Sequence, residues 1–419
     1  MKKIFLLVLV LIVLMYCVSC AAFQGEIEGI DASFSTDSHD DFDIENIPID
    51  EQIGIQLSPQ ETKVSFLAAG DNIIYMGQIR EAAAYAKYSD SDAEFDFKNQ
   101  YRNVSNIIEN YDIAFINQET LMAGEYFGYS AYPDFNSPRD LGRDLVSLGF
   151  DIVNIATNHM LDMQRSGLKS TIDFWKSQDV MMVGGYYDKE DFMNIRIIER
   201  NGIKIAAVGF TYDKRVAKYG ADPVSDDKTP FVPFIYDEDI VSWIKKADDL
   251  ADFVVVSIHW GKEYVQTPSD EQRRLAELIS DSGGDVILGH HTHSLQPIEW
   301  VEGKNGNKTL CFYSLGNFIS QSDEEVSMVG GIATFDIIKN ERDGIYVDNI
   351  VFMPTVTDYR KSFKENTIYF LENYSDELCS THYINRYFHK HIDMKMLCGF
   401  VFNVIDKKYL SESFLAIQN

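Results

Sequence analysis

From residue 63 onward the chain alternates between two textures. Short unbroken apolar runs rich in Val, Ile, Phe and Ala occupy 63–69, 112–116, 151–156, 203–210, 252–258, 285–288 and 310–313. Between them lie longer amphipathic stretches, as at 166–178, 238–250 and 269–282. An unbroken apolar run predicts a strand buried on both faces, and the longer stretches predict the helices that cover it. The alternation therefore predicts an α/β protein. Residues 332–352 suggest two further strands. Beyond about 364 the texture turns aromatic and irregularly helical, so 364–419 is expected to form a helical C-terminal extension to a domain over 63–363.

The residues before 63 follow another rule. Lys2 and Lys3 precede an apolar run that can be extended to Phe23, and Cys17-Val18-Ser19-Cys20 resembles a lipobox. Residues 1–23 are thus expected to be a signal peptide with lipidation at Cys20, an uncleaved membrane anchor, or a leader for simple secretion. Each alternative leaves the body of the chain outside the cytoplasm. Residues 24–62 hold no Lys or Arg and eleven Asp or Glu, which predicts an acidic flexible tether. Over the whole chain 37 basic and 65 acidic residues give a net charge of −28. That excess excludes nucleic acid as an expected partner, and a polyanionic ligand would need cations to offset it locally. The remaining cysteines, Cys311, Cys379 and Cys398, show no CxxC spacing. Either Cys379 pairs with Cys398 or the three are buried free thiols.

Chemistry gathers where the apolar runs end. The first runs into Asp71, the second into Asn117-Gln118-Glu119, and the third into Thr157-Asn158-His159. The fifth runs into His259-Trp260-Gly261, the sixth into Gly289-His290-His291-Thr292-His293, and the seventh into Ser314-Leu315-Gly316-Asn317. Taken singly, each group is an ordinary turn or helix-cap residue. Five of the nine histidines, however, fall at just three strand ends. Ligand sites of open α/β sheets lie outside the carboxyl ends of the strands, so the set predicts a shared metal or catalytic centre there. Carboxylate, amide and imidazole donors without thiolate suit Mn, Zn or Fe. Their number exceeds what one structural zinc needs and suits two divalent ions. His159 is then available as an acid, with Asp162 to orient its ring. His389 and His391 lie in the C-terminal extension and are expected to be solvated.

These residues, together with Gly70, Lys262-Glu263-Tyr264 and Phe318, resemble the CapA and PgsA capsule-synthesis proteins. That family is associated with poly-γ-glutamate capsule production and is related to calcineurin-like metallophosphoesterases. The resemblance covers roughly 64–318 and implies a metallophosphoesterase-like four-layer α/β/β/α sandwich. It further implies that Asp71, Glu119, Asn158, His259, His291 and His293 are metal ligands, with His159 as the acid. Asn117, His290, Glu263 and Asn317 are expected to support the ligands or touch substrate. Two positions depart from the phosphoesterase pattern. Ile73 stands where that pattern has a histidine, and Glu119 stands where it has a bridging aspartate, which implies one weaker or empty cation subsite. No GxxxxGK[ST] nucleotide loop is present, so the chain is not expected to be the polymerase. The expectation is a membrane-anchored accessory component that meets an anionic polymer and membrane capsule-synthesis subunits. It would act at export, at anchoring, or in metal-dependent cleavage or transfer of the emerging polymer. The alternatives are a non-catalytic scaffold and a cell-envelope phosphoesterase.

Overall fold

The structure, a computed structural model, describes residues 61–89, 92–212, 230–360, 364–388 and 390–417. The leader with Cys20, nearly all of the tether, and His389 lie outside the described residues. Two sheets carry the fold. The first is built from β1 (Thr62–Asn72), β2 (Ile113–Gln118), β3 (Ile152–Asn154) and β4 (Met181–Val183), which run parallel. The second holds β5 (Arg196–Arg200), β6 (Ile203–Thr211), β7 (Phe253–His259), β8 (Val286–His290), β9 (Ile298–Glu302) and β10 (Lys308–Phe312) in the order β5-β6-β7-β8-β10-β9. The chain then returns to the first sheet through β11 (Asn317–Ile319), β12 (Val329–Asn340), β13 (Gly344–Arg360) and β14 (Lys364–Phe370). β12 lies antiparallel against β1, so the first sheet reads β14-β13-β12-β1-β2-β3-β4, with β11 paired to β1 alongside.

The layers follow from strand periodicity. On β1 the side chains of Val64, Phe66 and Ala68 enter a core shared between the sheets, while Leu67 and Ala69 enter the core beneath the outer helices. On β7, Phe253 and Val255 face the shared core and Val254, Val256 and Ile258 face outward. Both faces of each central strand are therefore apolar, which is why the runs carry no polar alternation. Helices α1 (Met76–Tyr88), α2 (Arg139–Ser147) and α3 (Gln164–Lys176) cover the first sheet. Helices α4 (Asp237–Leu250) and α5 (Asp270–Asp281) cover the second. The result is an α/β/β/α sandwich, as expected. Helix α5 opens with a reciprocal cap: Ser269 Oγ accepts from Gln272 N at 3.2 Å and Gln272 Oε1 accepts from Ser269 N at 3.0 Å.

One expectation is corrected and one open alternative is decided. Residues 364–370, expected to be helical, form β14, which pairs antiparallel with β13. Thr367, Ile368, Tyr369 and Phe370 are good strand formers, and their partner strand is supplied by the tertiary fold rather than by the local pattern. Cys311, Cys379 and Cys398 are free thiols. Cys379 does not pair with Cys398, because its buried Sγ points instead at the Ile392 carbonyl, 3.7 Å away. Helical structure does follow from Asp376 onward, including α6 (Met394–Phe402). Side chains of this extension, among them Ile384, Leu397, Val401 and Phe414, join the shared core. Among the described residues no helix is long and apolar enough to cross a membrane.

Candidate metal centre

The carboxyl ends of both parallel strand sets meet at one buried point. Asp71 lies near the end of β1, and Glu119 directly follows β2. Thr157-Asn158-His159 follow β3, His259 ends β7, and His290 ends β8. Close backbone approach makes the convergence possible. A Cβ on Gly70 would lie 2.1 Å from the Gly316 carbonyl oxygen, the same oxygen that accepts from Asp71 N at 2.9 Å. His291 and His293 both take left-handed φ, 87° and 52°, which few non-glycine residues adopt. The loop is thereby held in a conformation that only tertiary contacts sustain.

At the centre sits Glu119. Three imidazole Nε2 atoms surround its Oε1: His293 at 3.7 Å, His259 at 3.8 Å and His159 at 3.9 Å. Both Glu119 carboxylate oxygens are buried and make no hydrogen bond among the described residues. Asp71 is better satisfied. Its oxygens lie 3.3 Å from His290 Nδ1 and 3.2 Å from His293 Nδ1, and accept from Asn117 Nδ2 at 2.8 Å and from His291 N at 3.2 Å. Asn117 is held in turn by Asn154, whose Nδ2 donates to its Oδ1 at 2.7 Å. Asn158 Oδ1 lies 3.1 Å from His259 Nε2, and Asn317 Oδ1 lies 3.1 Å from His293 Nδ1. Asp162 Oδ2 lies 2.7 Å from His159 Nδ1 and also accepts from Phe135 N at 2.7 Å. The ring of His159 stands edge-on to Phe135.

The charges are strongly coupled. Burial raises Asp71, but hydrogen bonds and charge from His290 and His293 more than reverse this and hold it well below the usual carboxylate range. Burial drives Glu119 well above that range, opposed by His293 and aided by Asp71, Glu263 and Asp162. Burial and the neighbouring His291 push His259 well down, which favours the neutral, ligating form. His293 rises to about 9 against burial, because Glu119 and Asp71 stabilise its charge.

These residues fit a bound cation. A buried carboxylate with both oxygens unsatisfied is costly. Imidazoles at 3.7–3.9 Å from Glu119 Oε1 are too far to hydrogen-bond to it but are spaced like ligands that share an ion at about 2.0–2.2 Å from each donor. Two donor groups meet such a spacing, Asp71–Glu119–His259 and Glu263–His291–His293, with the chosen donor atoms of each group within 4.8 Å of one another.

All twelve residues singled out from the sequence, other than Cys20, lie in or against this cluster. Several neighbours were not anticipated. Asn154 is the lone polar residue within the apolar β3, and that oddity was its only signal. A cavity of about 680 Å³ opens from Glu119, His159, Glu263 and His293, with walls that include Tyr75, Arg80, Tyr132 and Phe388. Phe388 comes from the C-terminal extension, where nothing local marks it. His391, as expected, is exposed, with Nε2 3.7 Å from Asp393.

A family model described as bacterial capsule synthesis protein PGA_cap matches residues 65–322. The PGA biosynthesis protein CapA of Bacillus subtilis is 39% identical over 176 residues, 42% of this chain and 44% of that protein. The capsule biosynthesis protein CapA of Bacillus anthracis is 37% identical over 175 residues, 41% of this chain and 40% of that protein. The matched segment thus spans less than half the length of either Bacillus relative. Among solved structures, the NAD nucleotidase of Haemophilus influenzae aligns at 12% identity with a TM-score of 0.41, covering 85% of this chain and 60% of that one.

Proposed function

From the premise that this chain belongs to the bacterial capsule synthesis family PGA_cap, we propose that it is a metal-dependent hydrolase or transferase of an anionic capsule polymer such as poly-γ-glutamate. It would work at the extracytoplasmic face of the membrane, tethered by its N-terminal segment beside membrane capsule-synthesis subunits. The observation that supports the catalytic reading is Glu119, a buried carboxylate without hydrogen bonds, ringed by three imidazoles at the floor of a cavity.

Asp71, Glu119, Asn158, His259, His291 and His293 would hold two divalent ions of Mn, Zn or Fe type. Such ions lower the pKa of bound water and offset negative charge on a substrate. The rest of the chemistry belongs to side chains. His159 stands over the cavity with its Nδ1 fixed on Asp162, which leaves Nε2 directed inward to hand a proton to a leaving group. Phe135 packs edge-on to the same ring and limits its rotation. Asn117 and Asn154 hold Asp71 in place from behind.

The test uses the full chain in detergent. Metal content is measured first, followed by hydrolysis of a generic phosphodiester and of γ-linked glutamate oligomers with added manganese. We expect bound metal, cleavage of one substrate class, and, in Glu119→Gln, loss of cleavage together with weakened metal binding. Tight metal binding with neither substrate cleaved would replace the catalytic reading with a scaffold.

A further inference from the structure

We infer that the second cation subsite is built by Glu263, His291 and His293, and that Glu263 is a metal ligand rather than a substrate contact. This inference rests on the metal-dependent reading above and goes beyond it by assigning the ligands of one subsite.

The sequence left one subsite a donor short, because Ile73 supplies no ligand atom. Ile73 and Glu263 line the same cavity, together with Glu119 and His293. Glu263 therefore adds a carboxylate to the cavity that Ile73 lines without a donor. Its ligand oxygen lies within 4.8 Å of donor nitrogens on His291 and His293, and those two nitrogens lie as close to each other. Donors gathered this closely are placed to close on one shared cation with small side-chain movements.

The backbone holds Glu263 in that position. Gly261 turns the chain with φ 86°, and a Cβ there would lie 2.7 Å from Gln272 Oε1, the side chain that caps α5. Tyr264 takes φ 63°, and its N–H donates to the Thr292 carbonyl at 2.6 Å. The loop that carries Glu263 is thus tied to the residue between the two histidines. Strain of this kind persists only where surrounding contacts enforce it.

The two donor groups share no residue and differ in burial. Asp71, Glu119 and His259 are all buried, whereas Glu263 and His291 are partly exposed. The buried group would hold its ion the more tightly, and the partly exposed group would exchange its ion with solvent more readily.

The experiment strips the full-length protein with a chelator and titrates it with Mn²⁺. Calorimetry and electron paramagnetic resonance give stoichiometry, affinity and spin coupling. We expect two sites in the unaltered protein. Glu263→Gln should keep the tight site, weaken the second at least about tenfold, and lose the coupled two-ion signal. An unchanged metal-free melting temperature would show that the variant folds. Ile73→His placed in the Glu263→Gln background should restore the second site. Two sites of unaltered affinity in Glu263→Gln would overturn this assignment and leave the metal-dependent reading standing. An unaltered protein that takes up no Mn²⁺, Zn²⁺ or Fe²⁺ would overturn both.

Discussion

At the scale of single residues, the centre depends on groups that never meet a ligand. Asn117 donates to Asp71 at 2.8 Å and receives Asn154 at 2.7 Å, so it fixes which carboxylate oxygen turns inward. Removing such a support costs about 10–100-fold in metal affinity in comparable sites. Asn117→Ala is expected to weaken Mn²⁺ binding by that amount while the protein stays folded, checked by competition with a fluorescent chelator beside a thermal melt. A second residue sets acid stability far from the site. His382 is fully buried; its Nε2 lies 3.1 Å from the Thr357 carbonyl, and its Nδ1 accepts from Ile384 N at 3.1 Å. Burial lowers its pKa from 6.5 to about 4, so the folded state resists the proton that the unfolded chain accepts. Its contribution is present above pH 6.5 and is lost as pH falls towards 4, about 3 kcal/mol in full. Asp358, whose nearer oxygen is 4.0 Å away, is raised to about 6 by burial and acts with the opposite sign, adding stability as pH falls through 6. The difference between the natural protein and His382→Gln isolates the histidine. Denaturant melts should show that difference shrinking from pH 7 to pH 4, and a constant difference would refute the assignment.

At the scale of elements, aspartates explain both what was legible in the sequence and where its boundaries slipped. The apolar runs read as starting at Asp112, Asp151, Asp252 and Asp285 begin as strands one residue later, at Ile113, Ile152, Phe253 and Val286. Each aspartate instead caps the neighbouring strand. Asp112 accepts from Ser65 N at 2.8 Å, Asp151 from Ala114 N at 2.9 Å, Asp252 from Lys204 N at 2.9 Å and Asp285 from Val254 N at 2.7 Å. The central strands were readable because both of their faces are buried. β5 was not, because its residues alternate between half-buried and exposed and read like loop. β4 and β11 hold three residues each, as β3 does, but β3 was readable because Ile155 and Ala156 lengthen its apolar run. The candidate ligands at the strand ends stood out because polar groups there break an apolar run. Glu263 was placed at the site, but its proximity to His291 and His293 depends on a fold over Gly261 that spacing does not encode. Asp285→Ala should leave the Val254 N–H unpaired in the core and destabilise the protein by about 1–3 kcal/mol, whereas Asp285→Asn keeps an acceptor and should cost less. Chemical denaturation of the two variants compares them directly.

At the scale of the whole molecule, the family match covers only part of the sheet that carries Asp71. The family match ends at residue 322, before β12. Yet β12 pairs with β1 from Thr62 to Ala69, and β1 carries Asp71. Without β12, one side of β1 would present open backbone donors and acceptors. The apolar faces of Val64, Phe66 and Ala68 would also lose Ala333, Phe335 and Ile337 from their core. Phe335 alone stacks on Phe66 with ring centroids 4.9 Å apart. The extension adds Ile384, Leu397, Val401 and Phe414 to the same core and Phe388 to the cavity wall. A fragment of residues 61–322 is therefore expected to lack cooperative unfolding and near-ultraviolet ellipticity and to bind a hydrophobic dye. A fragment of residues 57–419, the full compact unit, should melt in one sharp transition. If the shorter fragment also melts sharply and takes up Mn²⁺, then β12 and the extension are dispensable, and the strands that carry the candidate ligands hold their register without the neighbour that borders β1.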